Sequence, residues 1–179
     1  WELYIPIENS KKIFKKIQNL GKKYNLCYSG MHTLDTLRLE KKYLHWGHDI
    51  TSENNPIEAG LGFAVSLKKK QDFIGRKSIE RIIKEPMKKK LELFSLKDNN
   101  KPGTPLLMHD EPIFFKDSII GYSTSSNYSF NFKKNIFLAY VKADDYIIKR
   151  LSIEVGGKKY RLNHEAECMH DPKGTILRN

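Results

Sequence analysis

The chain has 179 residues, 39% of them hydrophobic and 30% charged, a length that builds one compact core or two small ones and a composition outside the disordered range. No apolar run approaches the roughly 20 residues that cross a bilayer, and no charged-then-apolar leader stands at the N-terminus; the expectation is a chain with no membrane partner, no uncleaved signal peptide and a cytoplasmic location. Cys27 and Cys168 are the only cysteines, too few for a disulfide framework and without the paired spacing of a zinc site, so they read as two reduced thiols.

The net charge of +11 raises a nucleic-acid reading, but 26 of the 32 cationic residues are Lys and 6 are Arg, whereas readout of bases and bidentate capture of phosphate favour Arg. No nucleic-acid partner is therefore expected. Residues 1–90 hold 19 Lys and Arg against 10 Asp and Glu, and residues 91–179 hold 13 against 11, so the first half carries the excess and suits a small polyanion.

Trp1-Glu2-Leu3-Tyr4-Ile5-Pro6 reads as strand-like from the first residue, which needs a sheet to join and makes the chain look like a piece of something larger. Asn9 and Ser10 offer N-caps, and Ile13, Phe14, Ile17, Leu20 and Tyr24 then recur on one side of an amphipathic helix over 10–24. Lysines 11, 12, 15, 16, 22 and 23 form its solvated face. Residues 32–42 give a second helix after Gly30, with Met31, Leu34 and Leu37 predicted to face inward. A loop carrying Trp46-Gly47-His48-Asp49 ends it. Asn54-Asn55-Pro56 reads as a turn, Leu61 to Leu67 as a strand, and Gly75 to Lys84 as a third helix that Pro86 stops.

Beyond Pro86 the pattern changes to short strands at Lys90–Leu96, Pro112–Phe115, Ile119–Ser123, Ile136–Lys142, Leu151–Val155 and Lys158–Leu162. Six strands in this span predict a small barrel or sandwich. Val155-Gly156-Gly157-Lys158 is a hairpin whose Gly-Gly link suits a type I′ or II′ turn, and Lys116-Asp117-Ser118 marks a second. The expected fold class is α+β, helices before Pro86 followed by an all-β module that is a small barrel or sandwich.

Nucleophile elbows, zinc-protease helices, phosphate-binding loops and dinucleotide fingerprints are all missing, since Gly60-Leu61-Gly62 precedes the expected strand instead of opening a helix. His45 and His48 bracket Trp46-Gly47 and with Asp49 suggest a metal only by proximity; they read as hydrogen-bonded structural histidines, and no metal is assigned. Cys168-Met169-His170-Asp171 is likewise a local run, because a Cys–His catalytic pair rarely comes from sequence neighbours.

Polar residues on a scaffold remain. Glu2-Leu3-Tyr4-Ile5-Pro6, Asp35-Thr36-Leu37-Arg38-Leu39-Glu40-Lys41, His45-Trp46-Gly47-His48-Asp49-Ile50, Pro56-Ile57-Glu58-Ala59-Gly60-Leu61-Gly62-Phe63-Ala64-Val65 and Asp72-Phe73-Ile74-Gly75-Arg76 resemble, in order and spacing, the folate-binding aminomethyltransferase family. That family comprises the glycine cleavage T-protein and the C-terminal half of dimethylglycine and sarcosine dehydrogenases. Lys134 to Val141 and Gly156 to Tyr160 resemble its C-terminal barrel, and Trp46-Gly47-His48-Asp49 resembles the sarcosine dehydrogenase branch.

The resemblance implies the C-terminal part of a tetrahydrofolate-dependent enzyme that moves a one-carbon unit from a small N-methyl amine to tetrahydrofolate, with residues 1–86 as the end of an α+β folate-binding domain and residues 87–179 as a small antiparallel β-barrel. It also implies that the family's catalytic Asp falls ahead of Trp1, in a missing N-terminal region, and that FAD belongs only to a possible upstream domain. No catalytic residue is assigned here, and the fragment alone is expected to be inactive. Glu2 matches the pterin-binding Glu, a carboxylate able to accept two parallel hydrogen bonds from the pterin amino group and ring N–H. Tyr4, two residues along, lines the same pocket or is a plain core tyrosine. Arg38 pairs with Asp35 or with Glu40, in preference to a folate contact. Where the T-protein has a ligand-binding Arg before the Asp of Asp-Thr-Leu-Arg-Leu-Glu, this chain has Leu34, which favours the dehydrogenase branch. The alternatives are a T-protein-like aminomethyltransferase and a non-catalytic folate-binding or scaffold protein.

Overall fold

The computed structural model describes residues 2–98 and 100–178, the side chain of Leu177 excepted. Two compact units divide the chain, Trp1–Met31 and His32–Asn179.

In the first unit, a 3₁₀ turn at Ile7–Asn9 leads directly into helix α1, Ser10–Gly21, and a further 3₁₀ turn at Lys22–Tyr24 completes the predicted helical span. Because the backbone is already coiled before Ser10, neither predicted cap works as one. Asn9 makes no side-chain capping bond, and Ser10 Oγ donates backwards to the Ile7 carbonyl at 2.7 Å. Asn25 closes the span in the left-handed region with φ 54°. Every lysine of the basic face is exposed, as expected, but the apolar side is not covered either, and α1 has no buried residue. Glu2–Pro6 takes no regular secondary structure, so the predicted strand does not form there, and Trp1 lies outside the described residues. A strand needs a neighbour for its N–H and C=O groups, and among the described residues the strands pair with one another in the barrel.

The second unit is built on a closed barrel of six antiparallel strands: β1 Lys89–Leu96, β2 Pro112–Phe115, β3 Ser118–Ser129, β4 Lys134–Lys142, β5 Leu151–Val155 and β6 Lys158–Glu165. Their order around the barrel is β1-β4-β3-β2-β5-β6. Val155 pairs with Lys158 across Gly156 and Gly157, whose φ values of 56° and 74° are those of a type I′ hairpin. Lys116-Asp117 links Phe115 to Ser118 in the second predicted hairpin. Alternation sets the core: Phe94, Leu96, Phe137, Ala139, Val141, Ile113, Ile153 and Leu162 form one buried cluster. The other faces of β1 and β4 supply Leu91, Leu93, Ile136, Leu138 and Tyr140 to a second. Since β4 is buried on both faces, its sequence Ile136-Phe137-Leu138-Ala139-Tyr140-Val141 is an unbroken apolar run. Gly121 of β3 pairs with Val141 of β4, and a Cβ there would collide with the Tyr140 carbonyl oxygen.

Helix α2, Met31–Glu40, reaches the second cluster through Leu39, which is fully buried. The predicted inward residues Met31, Leu34 and Leu37 are instead 71%, 56% and 50% exposed. The helix turns its mixed face to the barrel, burying Thr36, Leu39 and Glu40, because the rim of β3 offers hydrogen-bond partners. Ser129 Oγ and Asn131 Nδ2 donate to the Glu40 carboxylate at 2.6 and 2.8 Å. The strand predicted at Leu61 to Leu67 is a 3₁₀ turn at Gly62–Ala64. Gly60, with φ 72°, turns the chain back, and local bonds such as Leu61 N–H to the Pro56 carbonyl at 2.8 Å satisfy the backbone that a strand would have left open. The Asn54-Asn55-Pro56 turn forms as read, with Asn54 Oδ1 and Asn55 Oδ1 accepting backbone N–H groups. Helix α3, Arg76–Ile82, follows and buries Ile79.

Candidate functional site

A cleft of about 370 Å³ opens in the second unit between α2, the His45–Asp49 loop, the Gly103–His109 segment and β3. Its floor is an ion-pair network centred on Arg38. The guanidinium donates from Nη1 to Asp49 Oδ2 at 2.6 Å, from Nε to Asp35 Oδ1 at 3.0 Å and from Nη2 to Ser125 Oγ at 2.8 Å. Asp49 is completely buried and Arg38 is 13% exposed. Asp49 is saturated by further donors, the His45 N–H at 2.9 Å and Thr124 Oγ1 at 2.6 Å.

The local sequence explains how these groups meet. Gly47, with φ 89°, allows the tight turn that brings the His45 backbone over Asp49. A register shift between Ser123 and Ser125 in the β3–β4 pairing re-aims Thr124 toward Asp49. The Asp35–Arg38 spacing of one helical turn supplies the third contact.

Above this floor stand His32, His45, His48 and His109, four of the six histidines of the chain. The rings of His45 and His48 lie 4.7 Å apart. His109 Nδ1 is 2.7 Å from Asp110 Oδ2. The opposite wall is apolar, with Leu106 and Met108 66% and 59% exposed. The wall is tied down by Ser126 Oγ, which donates to the Met108 carbonyl at 2.6 Å, and by Glu111, which accepts the Met108 N–H at 2.6 Å and lies in a very short contact with Ser123 Oγ. Such a surface can hold a ligand that has both an apolar body and a polar or charged end.

Arg38 therefore takes the predicted Asp35 partner but not Glu40, which faces Ser129 and Asn131. His45 and His48 come together, but among the described residues no three His, Cys, Asp or Glu side chains converge on a possible metal position. The motifs around 35–41 and 45–50 thus meet on the barrel rim, while Glu2 and Tyr4 lie in the other unit, both exposed, Tyr4 by 87%. His32, His109, Met108 and Asn127 were not singled out in the sequence, because no local pattern marks residues that a barrel brings together from 70 or more positions apart. Cys168 and His170 belong to a turn beside α2: the His170 N–H donates to the Glu40 carbonyl, and Lys41 Nζ reaches Asp171 Oδ2 at 3.3 Å. Burial opposes the Asp171 charge, but donors from Thr175, Ile176 and Lys41 hold its carboxyl down to about 2.

Residues 1–69 match the family described as the GCVT N-terminal domain, and residues 89–171 match the glycine cleavage T-protein C-terminal barrel domain. Dimethylglycine dehydrogenase of Rattus norvegicus is 30% identical over 99% of this chain, which covers 20% of that protein. An aminomethyltransferase of Symbiobacterium thermophilum is 36% identical over 79% of this chain and 36% of its own length. The crystal structure of glycine cleavage system aminomethyltransferase T from Bartonella henselae superposes with a TM-score of 0.79 at 24% identity, over 94% of this chain and 45% of that one. The chain thus spans between 16% and 43% of the length of these and similar curated relatives. Matched in turn over residues 1–69 and 89–171, the chain belongs to the glycine cleavage T-protein family.

Proposed function

We propose that the chain is the C-terminal part of a tetrahydrofolate-dependent one-carbon enzyme resembling dimethylglycine or sarcosine dehydrogenase. The observation that carries this reading is the alignment of almost the entire chain to the rat dehydrogenase while covering a fifth of it. Residues 1–86 complete the α+β folate-binding part and 87–179 form the terminal barrel. Glu2 supplies the pterin contact and Tyr4 the adjoining wall; both are exposed and have room for a ligand. The uncovered apolar side of α1, with Phe14, Ile17 and Leu20 all exposed, packs against the N-terminal region of the same protein, which contributes the catalytic Asp and, in a dehydrogenase, the flavin that oxidises the N-methyl amine. Alone, the 179-residue chain is inactive.

A second reading, an aminomethyltransferase without flavin, is favoured by the 36% identity to the Symbiobacterium protein. Size and visible absorption of the natural gene product separate the two. A product several times longer than this chain and carrying flavin supports the dehydrogenase; a colourless one about twice as long supports the transferase. In that product Glu2→Gln weakens tetrahydrofolate binding by about 1–3 kcal/mol, the cost of unpairing a buried polar group. Unchanged affinity refutes the role given to Glu2, and no folate binding in the unmodified product leaves only a scaffold.

A further inference from the structure

Helix α2 meets the barrel through its mixed face, so its apolar stripe is turned outward. Leu34 and Leu37 lie one turn apart on that stripe, and both are exposed. Phe130, in the link between β3 and β4, is 70% exposed and rests edge-on against Tyr128 with the ring centroids 5.0 Å apart. Leu37 and Phe130 flank a groove of about 300 Å³ between α2 and that link. The polar side chains behind the groove are engaged within the unit. Thr36 Oγ1 and Asn127 Nδ2 both donate to the His32 carbonyl at 3.0 Å, and Glu40 accepts Asn131 Nδ2 at 2.8 Å. None of the buried polar atoms left without a partner among the described residues lines the groove. What an occupant adds is burial of the Leu37 and Phe130 side chains, which calls for an apolar partner.

Size separates the possible occupants. A stable contact between separate chains takes about 20–30 residues a side, and Leu34, Leu37 and Phe130 around one small groove fall far short of that. A tethered segment needs much less surface, because the chain that carries it sets its local concentration. The 179 residues cover 20% of the rat dehydrogenase and 45% of the Bartonella aminomethyltransferase, so more than half of each of those proteins has no counterpart in them. We infer that the groove between Leu37 and Phe130 is the seat of an apolar side chain from the region of the same polypeptide that precedes Trp1. This rests on the reading of the chain as the C-terminal part of a longer protein. It ties the barrel-bearing unit, and not α1 alone, to the region that carries the catalytic Asp.

The test uses the complete natural gene product, and its length is measured first. A product no longer than this chain refutes the C-terminal reading and the inference with it; a longer one leaves the groove to be tested by itself. p-Benzoylphenylalanine, a photo-reactive aromatic, is then placed at position 130, and the irradiated protein is digested and its cross-linked peptides identified by mass spectrometry. A cross-link within one polypeptide to a peptide from ahead of Trp1 is expected. A cross-link between two copies overturns the inference in favour of a dimer contact. Cross-links confined to peptides of residues 1–179, or none at all, overturn it as well. Leu37→Glu gives a second readout. It should raise hydrogen exchange in the captured peptide about tenfold or more, the equilibrium weight of burying one large apolar side chain, and leave exchange in β4 as it was. Unchanged exchange in the captured peptide refutes the assignment. If β4 also loses protection, Phe130→Ala is read in its place, with the same rise expected and the same absence of a rise refuting it.

Discussion

Replacing Arg38 by Met tests the network that joins α2, the 45–50 loop and the barrel. The pair with Asp35 contributes little, because that carboxylate is 36% exposed and pairs near solvent amount to roughly 0–1 kcal/mol. Asp49 is different, with no exposure at all. Removing one partner of a buried pair costs about 3–5 kcal/mol, because the other charge stays behind in low dielectric. Thr124 and the His45 N–H remain as donors to Asp49, which puts the expected loss at the low end, about 3 kcal/mol. For a unit of this size that lowers Tm by about 6–12 °C. The double variant Arg38→Met, Asp49→Asn removes the stranded charge and should recover at least about 1.5 kcal/mol of it. Urea unfolding of the two single variants and the double variant closes the cycle. A loss under about 1 kcal/mol in Arg38→Met, or a double variant as unstable as the sum of the singles, refutes the argument that Asp49 depends on Arg38.

Further outcomes follow from packing and titration. Gly121→Ala drives a methyl group into the Tyr140 carbonyl and should destabilise the barrel by about 1–3 kcal/mol in urea unfolding; a neutral substitution means that β3 and β4 can part. Tyr140→Phe should be neutral or stabilising by up to about 1 kcal/mol, since the hydroxyl is buried without a partner among the described residues. Burial, with the nearby charges of Tyr122, Glu58 and Asp49, also holds that phenol above the ordinary tyrosine range, so Tyr140→Phe should leave the alkaline absorbance titration unchanged below about pH 10, the ordinary range for tyrosine. Asp171 titrates at about 2 in the fold against 3.8 ordinarily. Its folded value is depressed, so its contribution is present above about pH 4 and is lost as the pH falls toward 2. Asp171→Asn should flatten that part of the acid unfolding curve, and an unaltered curve assigns the acid sensitivity to other carboxylates.

The elements legible in the sequence are those whose partners lie close along the chain. The 10–24 helix follows from its 3.6-residue spacing, and the Gly-Gly hairpin from the positive φ that its two links require. The six strands follow from short apolar runs cut by turn residues; five are found within three positions of their predicted ends, while β3 runs six residues past Ser123 to Ser129. The family resemblance was legible for a related reason, since its motifs at 2–6, 35–41 and 45–50 are local strings.

The errors share a cause as well. Met31, Leu34 and Leu37 were expected inward because apolar residues at helical spacing usually mark the buried side, yet the barrel rim presents Ser125, Ser129 and Asn131, and hydrogen bonds to these turn the mixed face of α2 inward. Leu61–Leu67 has the apolarity of a strand but, among the described residues, no neighbour that pairs with it, so glycine-permitted local bonds win. The cleft is decided by tertiary structure alone. Asp49 and Thr124 stand 75 positions apart and Arg38 and Ser125 stand 87 apart, and no spacing rule reaches across such distances. Local spacing and turn chemistry therefore determined which segments of this chain coil and which extend. Barrel closure decided which polar groups of α2, the 45–50 loop and β3 are buried together, because only the closed register fixes contacts between residues remote in sequence.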